Sequence, residues 1–443
     1  MKLPEHINKV LEILSGSGFE AFVVGGSVRD MIMGRVPDDY DITTSALPEQ
    51  TAECFAGYTV VETGIKHGTV TVVMEGENIE ITTYRVDGEY IDNRRPEKVS
   101  FTRSITEDLA RRDFTMNAIC YNHEKGIVDP FFGEEDIKRK IIRCVGEPDR
   151  RFNEDGLRIL RGLRFAAQTG FEIETETANS IRRNKHLLKN LSAERVFVEL
   201  KKMVMGKNAH KVIKDYIEVV GEVLPEILPM AGFEQNTKYH CYDVLDHSLE
   251  MMKNIENDVV LKLSALLHDT GKPETFTEDD RGVAHFKGHA TVSADKARQI
   301  LVRLKADNYT KDRVCGLIES HSIKMRVDRA EVKKFISEKG FEFAKLLLKV
   351  KKADASAKAA DYRESPELDE AENLIYDIER SGEALFLSDL EINGKDLTEM
   401  GIKGRQIGEV LKKLLDKVLS GELENKYETL INKAKEMTTD EKD

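Results

Sequence analysis

At 443 residues, with 40% apolar and 33% charged side chains, the chain is long enough for several domains and has the balance of a helix-rich soluble protein. No apolar run approaches the ~20 residues that span a bilayer, MKLPEHINKV lacks the features of a secretory leader, and five cysteines without paired spacing exclude a disulfide scaffold or cysteine-zinc site, pointing to a reducing cytoplasm. The net charge of −13 argues, taken whole, against a nucleic-acid partner.

From about residue 20 to 130, short strands alternate with helices: EAFVVG, DYDITT, YTVVET, GTVTVVM and NIEITTYR. FVVGGSVRD runs from a buried strand through Gly25-Gly26 into a helix beginning near Ser27, whose first amides suit phosphate, with Arg29 able to add a charge-assisted contact. Asp39 and Asp41 then flank one tyrosine where the segment reads as a strand, against the propensity of aspartate. Alternate strand residues share a face, and two like charges about 4 Å apart repel by roughly 4 kcal/mol at an intermediate dielectric. A divalent cation is the usual offset. Glu80, on a neighbouring strand, is a candidate third carboxylate, and three such acids suit two Mg2+ ions in phosphoryl or nucleotidyl transfer.

From about 138 onward the periodicity is almost purely helical, with no repeat and no low-complexity tract, and seams fall near 140, 225 and 360. The fold expected is an α+β head with a small mixed sheet, followed by a long all-α body. Here the charge distribution reverses the first impression. Between Lys138 and Lys214 stand 19 Lys and Arg against 9 Asp and Glu, a local +10 that leaves −23 for the remainder and suits a phosphate-bearing partner.

Gly25-Gly26-x-Val28-Arg29-Asp30, Gly34-Arg35 and Asp39-x-Asp41 together resemble the first motif of bacterial-type tRNA nucleotidyltransferases (CCA-adding enzymes) and their poly(A) polymerase relatives. The resemblance continues in the family's order through TGIKHGTVTV, EDLARRDFTMNAI, DPFFGEEDI, NEDGLRILRGLRFA and SAERVFVEL, covering residues 21 to about 200. It implies a polymerase β-like head in which Asp39 and Asp41 bind catalytic metals, with Glu80 as third acid, so that an RNA 3′-hydroxyl attacks an NTP α-phosphate. Gly26 and Arg29 would hold the triphosphate, and RRDFTMNA would sense the ribose through Arg111, Arg112 and Asp113, without deciding between the two arginines.

In EDGLRILRGLR, Asp155 and Arg158 stand at i and i+3, which a helix sets on one face, with Arg161 and Arg164 further along. A carboxylate accepts and a guanidinium donates, so the pair matches the amino donor and ring-nitrogen acceptor of cytosine and adenine and mismatches uracil and guanine. Side chains would then stand in for a template strand, as the family does. YRVDGEYIDNRRPEKVSF, residues 84–101, resembles the flexible loop of enzymes that add the terminal A. Full CCA addition is favoured, with an A-adding enzyme or a poly(A) polymerase as near alternatives and a phosphohydrolase with an RNA-binding head as the different class.

The helical body carries His247, His268-Asp269, His289, His321 and Asp354, an order that resembles the HD phosphohydrolase superfamily. Imidazoles and carboxylates suit a divalent first-row metal or a dinuclear pair, whose identity stays open, and His240 and His285 fall outside the ligand order. In relatives with this domain it resembles a phosphatase and 2′,3′-cyclic phosphodiesterase acting on RNA ends or nucleotides. GIKGRQIG opens a late helix with spaced glycines and two cations, resembling the tail that holds the TψC-loop end of tRNA. The expected layout is a head over 1–140, a neck and body over 141–225 that binds nucleotide bases and RNA, an HD domain over 226–362 and a tRNA-binding tail over 363–443. The expected partners are tRNA, at its 3′ acceptor end and elbow, with ATP and CTP and no membrane.

Overall fold

Strand β1 (Ala21–Val24) contains no polar side chain, is buried along its length and becomes the inner strand of a seven-stranded sheet. This computed structural model describes residues 1–61, 64–65, 68–88, 99–324 and 326–439. Contacts divide the chain into two units, 1–228 and 229–443. Thr63, Lys66 and His67 of TGIKHGTVTV, and positions 89–98 of the 84–101 segment, lie outside the described residues.

Around β1 stand β2 (Asp41–Thr44), β3 (Thr59–Val61), β4 (Thr69–Met74) and β5 (Glu77–Thr83). β6 (Arg85–Asp87) and β7 (Val99–Phe101) pair as a separate antiparallel ribbon, and β8 (Cys120–Asn122) with β9 (Gly126–Val128) closes the far edge of the main sheet. The order is β3-β4-β5-β2-β1-β8-β9, antiparallel throughout except where β2 and β5 run parallel. β4 alternates half-buried Thr and Val with buried Val and Met, the pattern of a sheet covered on one face. Helix Glu5–Gly16 buries Ile7, Val10, Leu11 and Leu14, a helical stripe that packs on β1.

Two expectations shift. The strand read as 39–44 begins at Asp41, leaving Asp39 in the preceding loop. β8 and β9, three residues each, are too short to leave a period-2 signal and are defined only by their pairing.

Beyond the sheet, β10 (Ile141–Ile142) pairs in parallel with β11 (Glu172–Ile173), and helix Leu157–Thr169 packs against helix Ala193–Val204. Gly206, in the turn just beyond the second of these helices, packs on the end of the first, where an added Cβ would stand 2.5 Å from the backbone carbonyl carbon of Ala167.

Among its described residues the second unit has helices and one hairpin, β12 (Thr277–Glu278) with β13 (Ala284–His285). Four of its helices start on an aspartate acceptor: Asp243, Asp258, Asp307 and Asp328 each take a backbone N–H at an N-terminus. One apolar core joins Val332, Ile336, Ala344 and Leu348 to Ile375, Leu397, Leu414 and Leu430, so the last helices share their core with residues before position 362. No helix among the described residues is long and apolar enough to cross a membrane.

Gly206→Ala is expected to overpack its turn at a cost of about 1–3 kcal/mol, lowering the melting midpoint of the first unit by a few degrees. Gly408→Ala, in helix Arg405–Leu419 with open space around the missing Cβ, is expected to stabilise the second unit by about 0.5–1 kcal/mol. Calorimetry of the two variants checks this; equal midpoints would show that the approach at Gly206 is not tight.

Candidate functional site

The turn after β1 sets the first wall of a cleft in the N-terminal unit. Gly25 adopts φ +79°, and a Cβ there would lie 3.0 Å from Nη1 of Arg112, so the position needs glycine on both counts. Helix Gly26–Ile32 follows and carries Arg29. The Arg29 guanidinium donates Nε and Nη2 to the two oxygens of Asp30, at 3.0 and 2.9 Å, and Nη1 to Oδ1 of Asn117 at 2.8 Å. Asn117 in turn donates to Asp113 Oδ1 at 3.1 Å, and Arg161 donates to Asp113 Oδ2 at 2.7 Å. Burial alone would raise the Asp113 carboxyl, but Arg161, Asn117 and the Phe114 amide hold it down to about 2.

These residues line one cleft of about 640 Å³ together with Asp39, Asp41, Arg111, Arg112, Asp155, Arg158, Arg164, Phe165, Gln168, Arg195 and Lys202. Asp39 and Asp41 are exposed. Protein packed round the Asp41 carboxyl nevertheless raises it from the ordinary range, Asp39 and Glu80 raise it further, and Arg112 opposes them. A local excess of oxygen-borne negative charge, open to solvent, fits a hard divalent cation. Glu80 is placed differently from its two companions. The register pairing Ile42 with Ile81 sets it beside Asp41 on the sheet, but it is not among the residues lining the cleft.

The opposite wall corrects the reading of EDGLRILRGLR as one helix face. Helix Pro148–Glu154 ends at Asp155 with φ −145° and ψ 106°, and the next helix runs from Leu157 to Thr169. Asp155 and Arg158 therefore do not pair across one turn. Asp155 accepts the Leu157 amide at 3.0 Å and Nη2 of Arg195 at 2.7 Å. Arg158, 8% exposed, donates to Glu154 Oε2 at 2.7 Å and to the carbonyls of Arg151 and Arg111 at 3.1 and 2.8 Å. The break comes from capping: the Asp155 carboxylate satisfies an amide at the start of the second helix, which a continuous helix would not leave open.

Other arginines are held in the same manner. Arg111 binds Asp108 Oδ1 through Nε and Nη2 at 3.0 and 2.7 Å, and Arg112 approaches Asp108 Oδ2 at 3.4 Å. Arg164 meets Glu199 at 3.3 Å, and burial lowers its guanidinium to about 10. Arg29, Arg161 and Arg164 all stand over the Phe165 ring, at 5.2, 5.4 and 4.2 Å from its centre. Glu154, Asp108, Arg195, Glu199 and Phe165 carried no sequence signal of their own. Only the paired occurrence of acids and arginines in the same helices hinted at them.

The C-terminal unit brings together all six residues of the His-Asp series, from five helices or their ends. His247 Nε2 lies 2.9 Å from Asp354 Oδ1 and His268 Nε2 3.1 Å from Asp269 Oδ2. His289 and His321 reach Asp269 Oδ1 at 3.5 and 3.9 Å. Each imidazole is fixed from behind, because Nδ1 of His247, His268, His289 and His321 faces the carbonyl of Ala357, Ala265, Phe286 and Ile318. That arrangement sets the tautomer and aims four Nε2 atoms inward, as metal-ligating histidines require. His268 Nε2 and both Asp269 oxygens are buried with no hydrogen bond of good geometry, and two overlapping ligand groups, His247-His268-Asp354 and His268-Asp269-His321, converge there. The donor set fits a divalent metal.

Lys272, 2.7 Å from Asp269 Oδ2, and His240, whose ring centre is 5.2 Å from that of His247, also belong to this region. Ligand order alone leaves His240 outside the set; the fold brings it to the edge of the cluster. His285 stays on the β12–β13 hairpin, 3.4 Å from Asp279.

Comparison with known proteins gives three family matches. The Poly A polymerase head domain matches residues 21–143, the probable RNA and SrmB-binding site of polymerase A residues 170–228, and the HD domain residues 237–365. The CCA-adding enzyme of Ligilactobacillus salivarius is 32% identical, across 98% of this chain and 98% of that protein. The CCA-adding enzyme of Streptococcus thermophilus is 33% identical, across 97% and 96%. The crystal structure of the Bacillus stearothermophilus CCA-adding enzyme in complex with CTP covers 100% of this chain and 99% of its own, at 29% identity and a TM-score of 0.74.

The Asp113 pair has a pH consequence. Its folded carboxyl lies near 2, below the ~3.9 of an unfolded aspartate, so it adds stability above about pH 4 that is lost as pH falls toward 2. Asp113→Asn is expected to flatten the fall of urea stability between pH 5 and pH 3, out of a total of about 2.6 kcal/mol over the whole titration. Parallel slopes for the two proteins would contradict the pairing.

Proposed function

Because the chain belongs to the family of CCA-adding enzymes, we propose that it builds the C-C-A terminus of tRNA without a template strand, drawing on CTP and ATP in turn. The observation that carries this reading is that the exposed Asp39 and Asp41, Asp155, Arg158 and a set of paired arginines all line one cleft. In the reaction, the 3′-hydroxyl oxygen of the RNA forms a bond to the α-phosphorus of the NTP. The bond from that phosphorus to the bridging oxygen breaks, pyrophosphate leaves, and the hydroxyl proton passes to solvent.

Asp39 and Asp41 are the residues that would hold Mg2+, and the ion when bound supplies a more acidic hydroxyl and charge neutralisation for pyrophosphate. Gly26 and Arg29 serve the triphosphate, with Arg29 kept in position by Asp30 and Asn117. Arg111, Arg112 and Asp113 serve the sugar side. Arg161 and Arg164 lend positive potential to the same wall, while their bonds to Asp113 and Glu199 restrict their movement. Glu80 stands behind Asp41 as a source of negative charge.

Base choice falls to Asp155 as acceptor and Arg158 as donor, which matches cytosine and adenine and leaves uracil and guanine with opposed edges. Arg195 orients the first and Glu154 the second. RNA is gripped by the basic region before residue 228 and by the GIKGRQIG turn, whose Lys403 and Arg405 are exposed, with the tRNA elbow as its target. The cytoplasm is where such a substrate resides.

A second reading rests on the buried, poorly bonded Nε2 and Oδ atoms of the His-Asp cluster. The residues His247, His268, Asp269, His289, His321 and Asp354 would hold a transition-metal ion, for which imidazole-rich ligation favours Mn2+, Co2+ or Ni2+ over Mg2+. Hydrolysis of a phosphate ester is the matching chemistry: a water oxygen bonds to phosphorus, the ester P–O bond breaks, and the leaving oxygen takes the proton.

Asp155→Ala is expected to weaken C and A incorporation by roughly 10- to 100-fold, the loss of a charged hydrogen bond, and to narrow their margin over U and G. Single-nucleotide incorporation with each of the four NTPs on tRNA lacking its 3′ end measures this. Unchanged selectivity would remove Asp155 from base reading.

The two centres are expected to be separable. Asp39→Ala should abolish nucleotide addition and keep phosphohydrolysis, whereas His268→Ala should do the reverse. Both activities are measured in both variants with Mg2+, Mn2+, Co2+ and Ni2+ in turn. Joint loss in one well-folded variant would mean coupled sites, and absence of hydrolysis with every metal would reduce the cluster to a structural role.

A further inference from the structure

We infer that Lys202, with Gln168 level with it, takes the terminal phosphate of the incoming nucleoside triphosphate, at the end of the cleft away from Asp155 and Arg158. This rests on the reading of the cleft as the site of nucleotidyl transfer and gives a task to two lining residues that the reading leaves without one.

Each of the seven arginines that line the cleft has an acid within ion-pair distance. Lys202 lines the same cleft, is exposed, and has no acid within that distance among the described residues. Its charge is therefore the one that the fold leaves for a ligand. A nucleoside triphosphate is most negative at its terminal phosphate. An ammonium on a flexible stem meets such a group as a point charge, whereas the arginine forks here are already committed to carboxylates.

Two helices fix where that charge stands. Helix Leu157–Thr169 and helix Ala193–Val204 pack together and run in the same direction. Asp155, just before the first, meets Arg195 near the start of the second at 2.7 Å, and Arg164 meets Glu199 at 3.3 Å. The Asn208 amide, past the end of the second, donates to the Ala167 carbonyl at 2.9 Å. Arg161, Arg164 and Gln168 are spaced by three and four residues, and Arg195, Glu199 and Lys202 by four and three, so each set shares a helix face. One turn beyond the Arg164–Glu199 pair, the two faces reach Gln168 and Lys202. The first face follows the order of a nucleotide. Arg158 belongs to the base, Arg161 is bonded to Asp113 on the sugar side, and Arg164 shares the Phe165 ring with Arg29, which serves the triphosphate. At about 1.5 Å per residue, Gln168 stands roughly 15 Å past Arg158 along the helix axis. The next group in that order is the last phosphate, which departs with pyrophosphate.

The test uses the full chain with Mg2+. Calorimetric titration without RNA gives the affinities of ATP and of ADP, which lacks the terminal phosphate. Steady-state addition to tRNA lacking the nucleotide to be added gives KM for CTP, ATP and tRNA. Lys202→Met is expected to weaken ATP binding about 10-fold, the lower end of what a hydrogen bond to a charged group carries, and to leave ADP binding unchanged. KM for ATP and CTP should rise together while KM for tRNA stays the same. Lys202→Arg is expected to restore ATP binding, and Gln168→Ala to weaken it in the same direction without affecting ADP.

Unchanged ATP binding in Lys202→Met, or an equal loss for ADP, overturns the assignment. A rise confined to the KM for tRNA also overturns it, because Lys202 would then serve the RNA backbone. If the ATP and ADP affinities follow the expected pattern but the wild-type chain adds no nucleotide to tRNA, the phosphate site stands and the transfer reading falls. If addition proceeds and Lys202→Met matches wild type throughout, the phosphate site falls and the transfer reading stands.

Discussion

A guanidinium that is taken out of water must be paired, and the N-terminal cleft is organised by that constraint. Arg151, Arg158 and Arg164 are under a tenth exposed, and acids bind each of them. Removing one partner from a buried pair costs about 3–5 kcal/mol, because the other charge stays behind. The cleft's acids other than Asp39 and Asp41 are therefore mostly counter-charges that fix where each arginine points. Asp30, Asn117, Asp113 and Arg161 form one continuous chain of hydrogen bonds with Arg29, so the two walls hold each other in register.

The C-terminal cluster meets the same requirement with different chemistry. Its histidines are oriented by backbone carbonyls, three of them lying three residues earlier in the chain, where helix ends and turns leave acceptors unfilled. Those three imidazoles are thus fixed by the local path of their own chain, His247 is fixed by the distant Ala357 carbonyl, and only the packing of helices brings the four together. Lys272 and Lys358 balance Asp269 and Asp354, which are both held far below the ordinary carboxylate range against the effect of burial.

The two clusters differ in donor chemistry. Oxygen donors open to solvent fit a hard cation, whereas a buried imidazole-rich set fits a softer metal. The first centre lies within residues 1–228 and the second within 229–443, and each draws its ligands from its own unit.

Local residue order was sufficient for much of this. The glycine pair before Arg29, the Asp39-x-Asp41 spacing and the ordered His-Asp series were legible because each encodes a demand of a few neighbouring atoms: a left-handed turn, two like charges brought close, donors of one chemical kind. The change from strand to helix period near residue 138 was legible for the same reason, since periodicity is a short-range property. Only tertiary structure decided the rest. Asp155 leaves the helix to cap the next one and pairs with Arg195, 40 residues away; Arg158 turns to Glu154; Phe165 gathers three arginines; His240 returns to the cluster from which sequence order excluded it. The physical reason is that a buried charge or ring settles on whichever partner packing delivers, and chain separation does not appear in that energy.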